Sequence, residues 1–211
     1  MKGLFITFEG PDGGGKSTQL KNIAQILRAE GYEVVESREP GGTDFAEKVR
    51  ALVLDPSIPL TATSQSLLYL AARSEHVDKL LRPSKAQGKI VLCDRFGDST
   101  LVYQGLAEGK TLAELDQLRN LNAYATENFL PDLTLIFDGR PEELVKRRTL
   151  RGVSDRYEDM GLDFQHKLRN GFLALAQKEP ERIKIVNAEK DLAEVEAQAL
   201  GFIHELLAKE A

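Results

Sequence analysis

The chain contains few of the residues on which specialised protein classes depend. Its 211 residues include no tryptophan, one cysteine and two methionines, and 7% are aromatic. A single cysteine, Cys93, excludes an internal disulfide, and its apolar run at 90–93 favours a buried small side chain over a nucleophile. No apolar stretch is of membrane-spanning length and no signal peptide is visible. We therefore expect a cytoplasmic protein with no membrane partner.

The charge balance narrows the function classes further. The sequence has 28 basic and 33 acidic residues, a formal net charge of −5. This balance gives no general support for a nucleic-acid partner, although a local basic cluster could still bind phosphate. The hydrophobic content of 42% is that of an ordinary globular protein. We expect one domain over residues 1–211, with a sizeable core.

A glycine-rich loop is the most informative feature that the chain does have. Residues 10–17 fit Gly-x4-Gly-Lys-[Ser/Thr], the pattern of loops that bind the phosphates of ATP or GTP. Glycines allow positive φ and inward-facing amides, Lys16 reaches the β/γ-phosphates, and the Ser17 hydroxyl ligates Mg²⁺. The alternative is a glycine-rich turn of a structural α/β domain. The predicted ATP-binding residues of this loop are Gly10, Pro11, Asp12, Gly13, Gly14, Gly15, Lys16, Ser17 and Thr18.

Strand-like runs alternate with helical patterns along the chain. Such alternation predicts an α/β protein whose parallel sheet carries helices on both faces and binds ligands at the carboxyl ends of its strands. The segment 146–159 holds four arginines between two helices, which suggests an exposed lid. A solvated helix end would have a similar composition. The predicted strands are 4–8, 33–36, 90–93, 133–137 and 183–186.

Charged side chains cluster where these strands end. Asp94 ends an apolar strand and is predicted to hold Mg²⁺, usually through water, opposite Ser17; capping of the following helix is the alternative. Arg38 and Arg95 each lie two residues past a predicted strand. Two guanidiniums at this edge suit a second phosphoryl group, with surface salt bridges as the alternative.

A second pair of residues shares a helix face. Tyr69 and Arg73 are four apart, so a base could stack on Tyr69 while Arg73 donates to its carbonyl. By itself the pattern is more typical of a core tyrosine and a surface arginine. The three histidines His76, His166 and His204 have no metal-ligand spacing and receive no function.

Taken together, these motifs resemble the thymidylate kinase family. The phosphate loop, Arg-Glu-Pro-Gly-Gly-Thr at 38–43, Asp-Arg-Phe at 94–96, Asp-Ser-Thr at 98–100 and Tyr-Gln-Gly at 103–105 follow in the family's order. The resemblance implies a three-layer P-loop kinase fold with a five-stranded parallel sheet, a lid at about 147–159, and a homodimer. It also implies Mg²⁺-assisted transfer of the ATP γ-phosphoryl group to dTMP, giving dTDP and ADP for dTTP biosynthesis.

The resemblance also implies roles for individual residues. Asp12 would contact the sugar 3′-hydroxyl and the metal–phosphate region, and Tyr103 would crowd a ribose 2′-hydroxyl. Arg38 and Arg95 would hold the dTMP phosphate, and Arg147 would lie over adenine. Tyr69 would stack on thymine, Arg73 would bond its carbonyl, Thr100 would lie near a ring nitrogen and Gln104 near the nucleoside. The implied dTMP site comprises Asp12, Arg38, Tyr69, Arg73, Arg95, Ser99, Thr100, Tyr103 and Gln104.

The family divides by the position of its catalytic arginine. Gly13 and Gly14 leave the phosphate loop without one, whereas Arg151 and Arg156 are in the lid segment. The chain therefore resembles the lid-arginine, bacterial-like kind. The implied catalytic residues are Lys16, Arg95, Arg151 and Arg156. Two departures stand out: Arg140 is unexpected after the fourth strand, and Ala72 replaces a polar residue of some members.

Three other functions stay open at this point. A kinase for another nucleoside monophosphate or deoxynucleoside would use the same elements. A GTPase-type switch would match the Asp-x-x-Gly pattern at 94–97, but the chain has no Asn-Lys-x-Asp for guanine. An ATP-dependent scaffold would leave Arg38, Arg95 and Tyr69 without a role.

Overall fold

The chain folds around one five-stranded parallel sheet. The computed structural model describes residues 2–149 and 160–210. The strand order is β2-β3-β1-β4-β5 and all four pairings are parallel, which confirms the predicted α/β class. The strands are β1 Leu4–Glu9, β2 Val34–Arg38, β3 Ile90–Asp94, β4 Leu133–Asp138 and β5 Ile183–Asn187.

Helices connect these strands and cover the sheet. The helix α3 continues through a π-helical segment, Val77–Leu81, into α4, and a 3₁₀ turn, Leu106–Glu108, follows α5. None of the helices in the described ranges is long and apolar enough to cross a membrane. The helices are α1 Lys16–Ala29, α2 Asp44–Leu54, α3 Ala62–His76, α4 Arg82–Ala86, α5 Gly97–Tyr103, α6 Leu112–Thr126, α7 Pro141–Thr149, α8 Gly161–Lys178 and α9 Leu192–Glu210.

The core lies on both faces of the central strands. Alternate residues of β1 pack against α1 and α9 on one side, where Phe8, Leu27 and Ile203 are fully buried. On the other side Ile136 of β4 packs with α8, and Phe5 packs with a separate cluster. Because both faces are covered, the central strands read as continuous apolar runs. The two edge strands are only partly buried.

The edge strand β2 differs from its prediction. It begins one residue later than predicted and runs two residues further, to Arg38, so Arg38 ends the strand and does not follow it. A half-exposed edge strand tolerates polar residues, which is why its end was not visible as an apolar run. In the sheet, Arg38 pairs with Asp94 and Phe8 also pairs with Asp94. The register therefore brings the carboxyl ends of β1, β2 and β3 to one level.

Cys93 is a buried core residue, as predicted. Its side chain is fully buried among the residues around Phe5, and its thiol donates to the carbonyl of Arg95 at 3.2 Å. Burial and the nearby carboxylates of Glu39 and Asp94 raise the pKa of the Cys93 thiol well above its ordinary value. A neutral, enclosed thiol is not a nucleophile.

Candidate active site

The phosphate loop connects β1 to α1 at the carboxyl edge of the sheet. Gly10, Gly13 and Gly15 all have positive φ. A Cβ at Gly10 would lie 2.7 Å from the carbonyl of Phe137, and a Cβ at Gly13 would lie 2.3 Å from that of Leu144. Two of these glycines are therefore required for packing against β4 and α7 as well as for the turn. Gly15 caps α1 without a side-chain hydrogen bond, so the helix begins with backbone N–H groups at the loop.

Lys16 is buried inside the loop. Its Nζ donates to the carbonyls of Gly10 at 3.0 Å and Pro11 at 2.9 Å, and lies 3.7 Å from Asp12. Burial, together with the neighbouring Arg95, lowers the pKa of Lys16, while the carboxylates around it act in the opposite direction. The loop thus holds an ammonium group at its centre, where a phosphate would be bound.

Arg95 joins the loop to α5. Its Nη1 donates to the Gly10 carbonyl at 3.1 Å and to Ser99 Oγ at 3.0 Å. Its Nη2 donates to Asp12 Oδ1 at 2.7 Å and to the Tyr103 hydroxyl at 3.1 Å, and that hydroxyl donates to Asp12 Oδ2 at 3.2 Å. Arg95 also has a positive φ of 72°, which places its side chain across the loop.

Asp12 is the acidic centre of this group. Burial raises the pKa of its carboxyl, but the guanidinium of Arg95 and the ammonium of Lys16 outweigh burial and hold the pKa well below its ordinary range. Asp12 is therefore an acceptor for hydroxyl and cationic groups throughout the physiological pH range.

Ser17 and Asp94 meet between α1 and β3. Ser17 Oγ donates to Asp94 Oδ2 at 2.5 Å, and the other oxygen, Asp94 Oδ1, is buried with no hydrogen-bond partner among the described residues. A hydroxyl beside an unsatisfied carboxylate oxygen is a donor set that fits Mg²⁺. No group of three or more metal-ligating His, Cys, Asp or Glu side chains occurs in residues 2–149 and 160–210. Asp94 does not cap α5, whose N-cap is Phe96.

Two further arginines line the cleft above this edge. Arg38 is half-exposed and its Nη2 donates to both oxygens of Glu47, at 3.1 and 3.0 Å. The sequence analysis missed Arg50, whose Nη1 donates to the Pro40 carbonyl at 3.0 Å. One signal was available. Arg50 follows Ala46 by four residues and so lies on the apolar face of α2, where a charge is unusual.

The remaining predicted residues line the same cleft, which has a volume of about 260 Å³. Tyr69 is half-buried, whereas Thr100 and Gln104 are almost fully buried. Arg73 is 3% exposed and donates through Nε to Glu39 Oε2 at 2.7 Å. The pattern-based interpretation of a core tyrosine and a surface arginine was therefore wrong. The hydrogen-bond partners of Arg73 lie too far from it in sequence to be recognised from residue spacing.

Glu9 is a second residue that sequence reasoning missed. It ends β1 with no exposure and accepts from the backbone N–H groups of Phe96 at 2.7 Å and Ser99 at 3.2 Å, and from Ser99 Oγ at 2.5 Å. Burial, with the nearby Asp98 carboxylate, raises the pKa of Glu9 to about 7. Because Ser99 Oγ also accepts from Arg95, Glu9 helps to hold that arginine in place. A carboxylate at the end of a strand that is apolar except for Thr7 was the available signal.

The opposite end of the loop faces α7 and the segment after β5. Arg147 lies in α7, and its guanidinium donates to the carbonyls of Ala188 at 2.5 Å and Glu189 at 3.3 Å. Arg140, the unexpected arginine, pairs with Glu189 through Nε at 3.1 and 3.0 Å. It therefore links the start of α7 to the segment after β5. Ala72, the second departure, is 1% exposed and packs in the apolar cluster between α2 and α3. The predicted lid residues Arg151 and Arg156 lie outside the described residues.

Comparison with known proteins settles the family. The family model described as thymidylate kinase matches residues 8–199. The chain belongs to the thymidylate kinase family. A thymidylate kinase of Exiguobacterium sibiricum is 44% identical over 94% of this chain and 92% of its own length. One of Deinococcus radiodurans is 42% identical over 97% of this chain and 98% of its own length.

A solved structure gives the same family and confirms the fold. The thymidylate kinase of Ehrlichia chaffeensis superposes with a TM-score of 0.76 at 36% identity, over 97% of this chain and 99% of its own. The five-stranded parallel sheet with its surrounding helices is the P-loop kinase fold that the sequence resemblance implied.

Proposed function

We propose that this protein is a dTMP kinase, which transfers the γ-phosphoryl group of ATP to dTMP and releases dTDP and ADP for dTTP biosynthesis. One observation carries the proposal. A single cleft joins the phosphate loop, a cluster of three arginines and the Tyr69–Arg73 pair, so the phosphates of a donor held by the loop and of an acceptor held by the arginines would meet there. Membership of the thymidylate kinase family supports the same reaction. It favours phosphoryl transfer over a GTPase-type switch or a scaffold.

The ATP end consists of the phosphate loop and α7. Lys16 exchanges its contacts with the Gly10 and Pro11 carbonyls for the β/γ-phosphates, since a strong anion is a better partner than a carbonyl for an ammonium group. The start of α1 adds backbone N–H donors. Arg147, held against the Ala188 and Glu189 carbonyls, borders the adenine.

The dTMP end begins at the arginine cluster. Arg38, Arg50 and Arg95 all line the cleft. The dTMP phosphate binds among them, because a guanidinium binds phosphate oxygens in a bidentate manner. Asp12 accepts from the sugar 3′-hydroxyl, and Ser99 supports Arg95.

The base and the sugar occupy the inner part of the cleft. Tyr69 stacks on the thymine ring and Arg73 donates to a carbonyl of the base. Thr100 faces a ring nitrogen, and Gln104 lies beside the nucleoside. Tyr103 is 6% exposed and its ring packs on Phe172 with 6.3 Å between centroids, so it cannot move away from a 2′-hydroxyl without disturbing the core.

The chemistry requires alignment and charge stabilisation more than proton transfer. The dTMP phosphate is largely dianionic at neutral pH, so one of its oxygens attacks the γ-phosphorus directly while the bond to the β–γ bridging oxygen breaks and ADP leaves. Mg²⁺, held by Ser17 and through water by Asp94, would neutralise developing charge. Lys16 and Arg95 hold the two reactants in line, and Arg151 and Arg156 of the lid cover the transferring group.

Three broader features belong to the same proposal. The protein acts as a homodimer in the cytoplasm, as the family resemblance implies. The chain forms one kinase domain over residues 1–211, with a lid insert at about 147–159 that excludes water when it closes.

The test is a coupled ADP-release assay with ATP and Mg²⁺ over a panel of dTMP, dUMP, dCMP, dGMP and UMP. We expect dTMP to give the highest kcat/KM. Lys16→Ala should nearly abolish turnover while thermal unfolding stays cooperative, because Lys16 lies at a loop–helix junction. A higher kcat/KM for another nucleotide would contradict the substrate assignment, and wild-type turnover in Lys16→Ala would contradict the ATP site.

A further inference from the structure

Arg73 is held from three sides at the base end of the cleft. Its Nε donates to Glu39 Oε2 at 2.7 Å, its Nη1 to Asn122 Oδ1 at 2.7 Å and its Nη2 to the Phe96 carbonyl at 3.0 Å. The guanidinium also lies over the Phe96 ring, 5.1 Å from its centroid. A guanidinium has five N–H donors, so these three contacts do not exhaust it. Arg73 lines the cleft beside Tyr69.

The carboxylate that pairs with Arg73 is itself fixed by a histidine. The second oxygen of Glu39 lies 3.0 Å from His76 Nδ1, and His76 Nε2 lies 2.6 Å from Ser37 Oγ. A carboxylate only accepts, so Nδ1 donates to Glu39 and the ring orientation follows. His76 has no exposure and the Glu39 side chain is 5% exposed. One buried chain therefore runs from β2 through the end of α3 to the cleft.

The order Ser37–His76–Glu39 matches that of a hydrolytic triad, but the surroundings exclude this use. A Cβ at Gly42 would lie 2.4 Å from His76 Nε2 and 2.6 Å from Ser37 Oγ. The backbone of the turn therefore packs directly on the Ser37–His76 pair and crowds the approach to the hydroxyl. The end of this chain of contacts that reaches the cleft is Arg73, so Ser37, His76 and Glu39 support Arg73.

We propose that Glu39, oriented by His76, is a positioning residue that fixes Arg73 against the base and thereby sets discrimination between thymine and cytosine. This inference rests on the proposed function and adds two residues to it. A thymine carries the O4 acceptor where cytosine carries an N4 amino donor. A guanidinium fixed in one orientation binds the O4 acceptor of thymine better than the N4 donor of cytosine, whereas a mobile guanidinium can adapt to both bases.

The test compares isosteric variants for two pyrimidine nucleotides. Glu39→Gln keeps the shape but removes the charge that assists the contact with Arg73. We expect KM for dTMP to rise about tenfold, the size of one lost charge-assisted contact, with KM for ATP unchanged. We also expect the ratio of kcat/KM for dTMP to that for dCMP to fall. A merely structural role would lower the melting temperature and leave this ratio unchanged.

Two variants of His76 test the same proposal if Glu39→Gln does not fold. His76→Leu removes the donor to Glu39 and should lower the dTMP:dCMP ratio. His76→Asn retains an amide donor near the Nδ1 position and should restore the ratio. In an Arg73→Ala background Glu39→Gln should lower the ratio no further, since positioning requires the positioned group.

The matched control is a partly buried ion pair at the amino-terminal ends of the strands, opposite the cleft. Lys85 Nζ lies 2.6 Å from Asp132, just before β4, so Asp132→Asn should reduce stability without changing the dTMP:dCMP ratio or KM for dTMP. A folded Glu39→Gln variant with KM for dTMP and the dTMP:dCMP ratio within about twofold of wild type would overturn this inference alone. A wild-type protein without dTMP kinase activity would overturn the proposed function and this inference with it.

Discussion

Replacement of Arg95 by alanine should weaken the use of dTMP far more than the use of ATP. Arg95 makes four contacts through its two Nη atoms, to Gly10, Ser99, Asp12 and Tyr103. Both Nη atoms are thus fully engaged, so a bound phosphate must replace some of these acceptors. The net loss is therefore close to one charge-assisted hydrogen bond, about 1.5–3 kcal/mol, and not the sum of two.

This magnitude corresponds to a decrease in kcat/KM for dTMP of roughly 10- to 150-fold. KM for ATP should change by no more than about threefold, because Lys16 remains in the loop and still forms an ion pair with Asp12. Steady-state kinetics with each substrate varied in turn measures both. Arg28→Ala is a suitable control, since Arg28 donates to Glu36 and to the Val34 carbonyl near the start of β2, far from the cleft. If only the apparent ATP affinity falls, Arg95 belongs to the donor site and the arginine-cluster assignment is wrong.

Three further outcomes are expected for other residues of the proposed site. Tyr103→Ala should relax discrimination between dTMP and ribothymidylate, whereas Tyr103→Phe, which keeps the ring, should not; equal selectivity in both variants would place sugar selection elsewhere. Because the folded-state pKa of Glu9 is raised from 4.5 to about 7, the free energy of unfolding should fall as pH rises between these values. In urea titrations over this pH range, Glu9→Gln should remove about 3 kcal/mol of that fall. An unchanged dependence of the unfolding free energy on pH in Glu9→Gln would contradict this. Arg151→Ala and Arg156→Ala should lower the single-turnover rate much more than they raise KM for dTMP, and a double variant with near-normal transfer would refute the lid-arginine assignment.

The central strands and the phosphate loop could be predicted from the sequence for a specific physical reason. A strand buried on both faces consists almost entirely of apolar residues, and β1, β3 and β4 are of this kind. The loop is recognisable because its glycines satisfy backbone conditions that other residues do not meet. At Gly13, positive φ and a carbonyl 2.3 Å from the Cβ position act together.

The supporting contacts of the cleft could not be predicted, because they join residues far apart in sequence. Glu39 lies 34 residues from Arg73 and Asn122 lies 49 residues from it. Only the parallel crossovers of the fold bring them together. From the sequence alone, Arg73 therefore resembles a surface residue.

Arg50 and Glu9 show a different limit of the sequence. Each is a charge at a position whose neighbours are apolar, and such a charge marks a buried polar contact without saying which one. The hydrogen bonds of Glu9 to the start of α5, and of Arg50 to the Pro40 carbonyl, became visible only in the folded structure.

The most direct measurement follows the transferred phosphorus itself. ATP labelled in its γ-phosphate is incubated with the protein, Mg²⁺ and dTMP, and the label is traced by chromatography. The account predicts that the label appears in the β-position of dTDP, in a one-to-one ratio with ADP, and that little inorganic phosphate forms when dTMP is omitted. Label found mainly in inorganic phosphate, with or without dTMP, would contradict the claim that this cleft aligns ATP with dTMP.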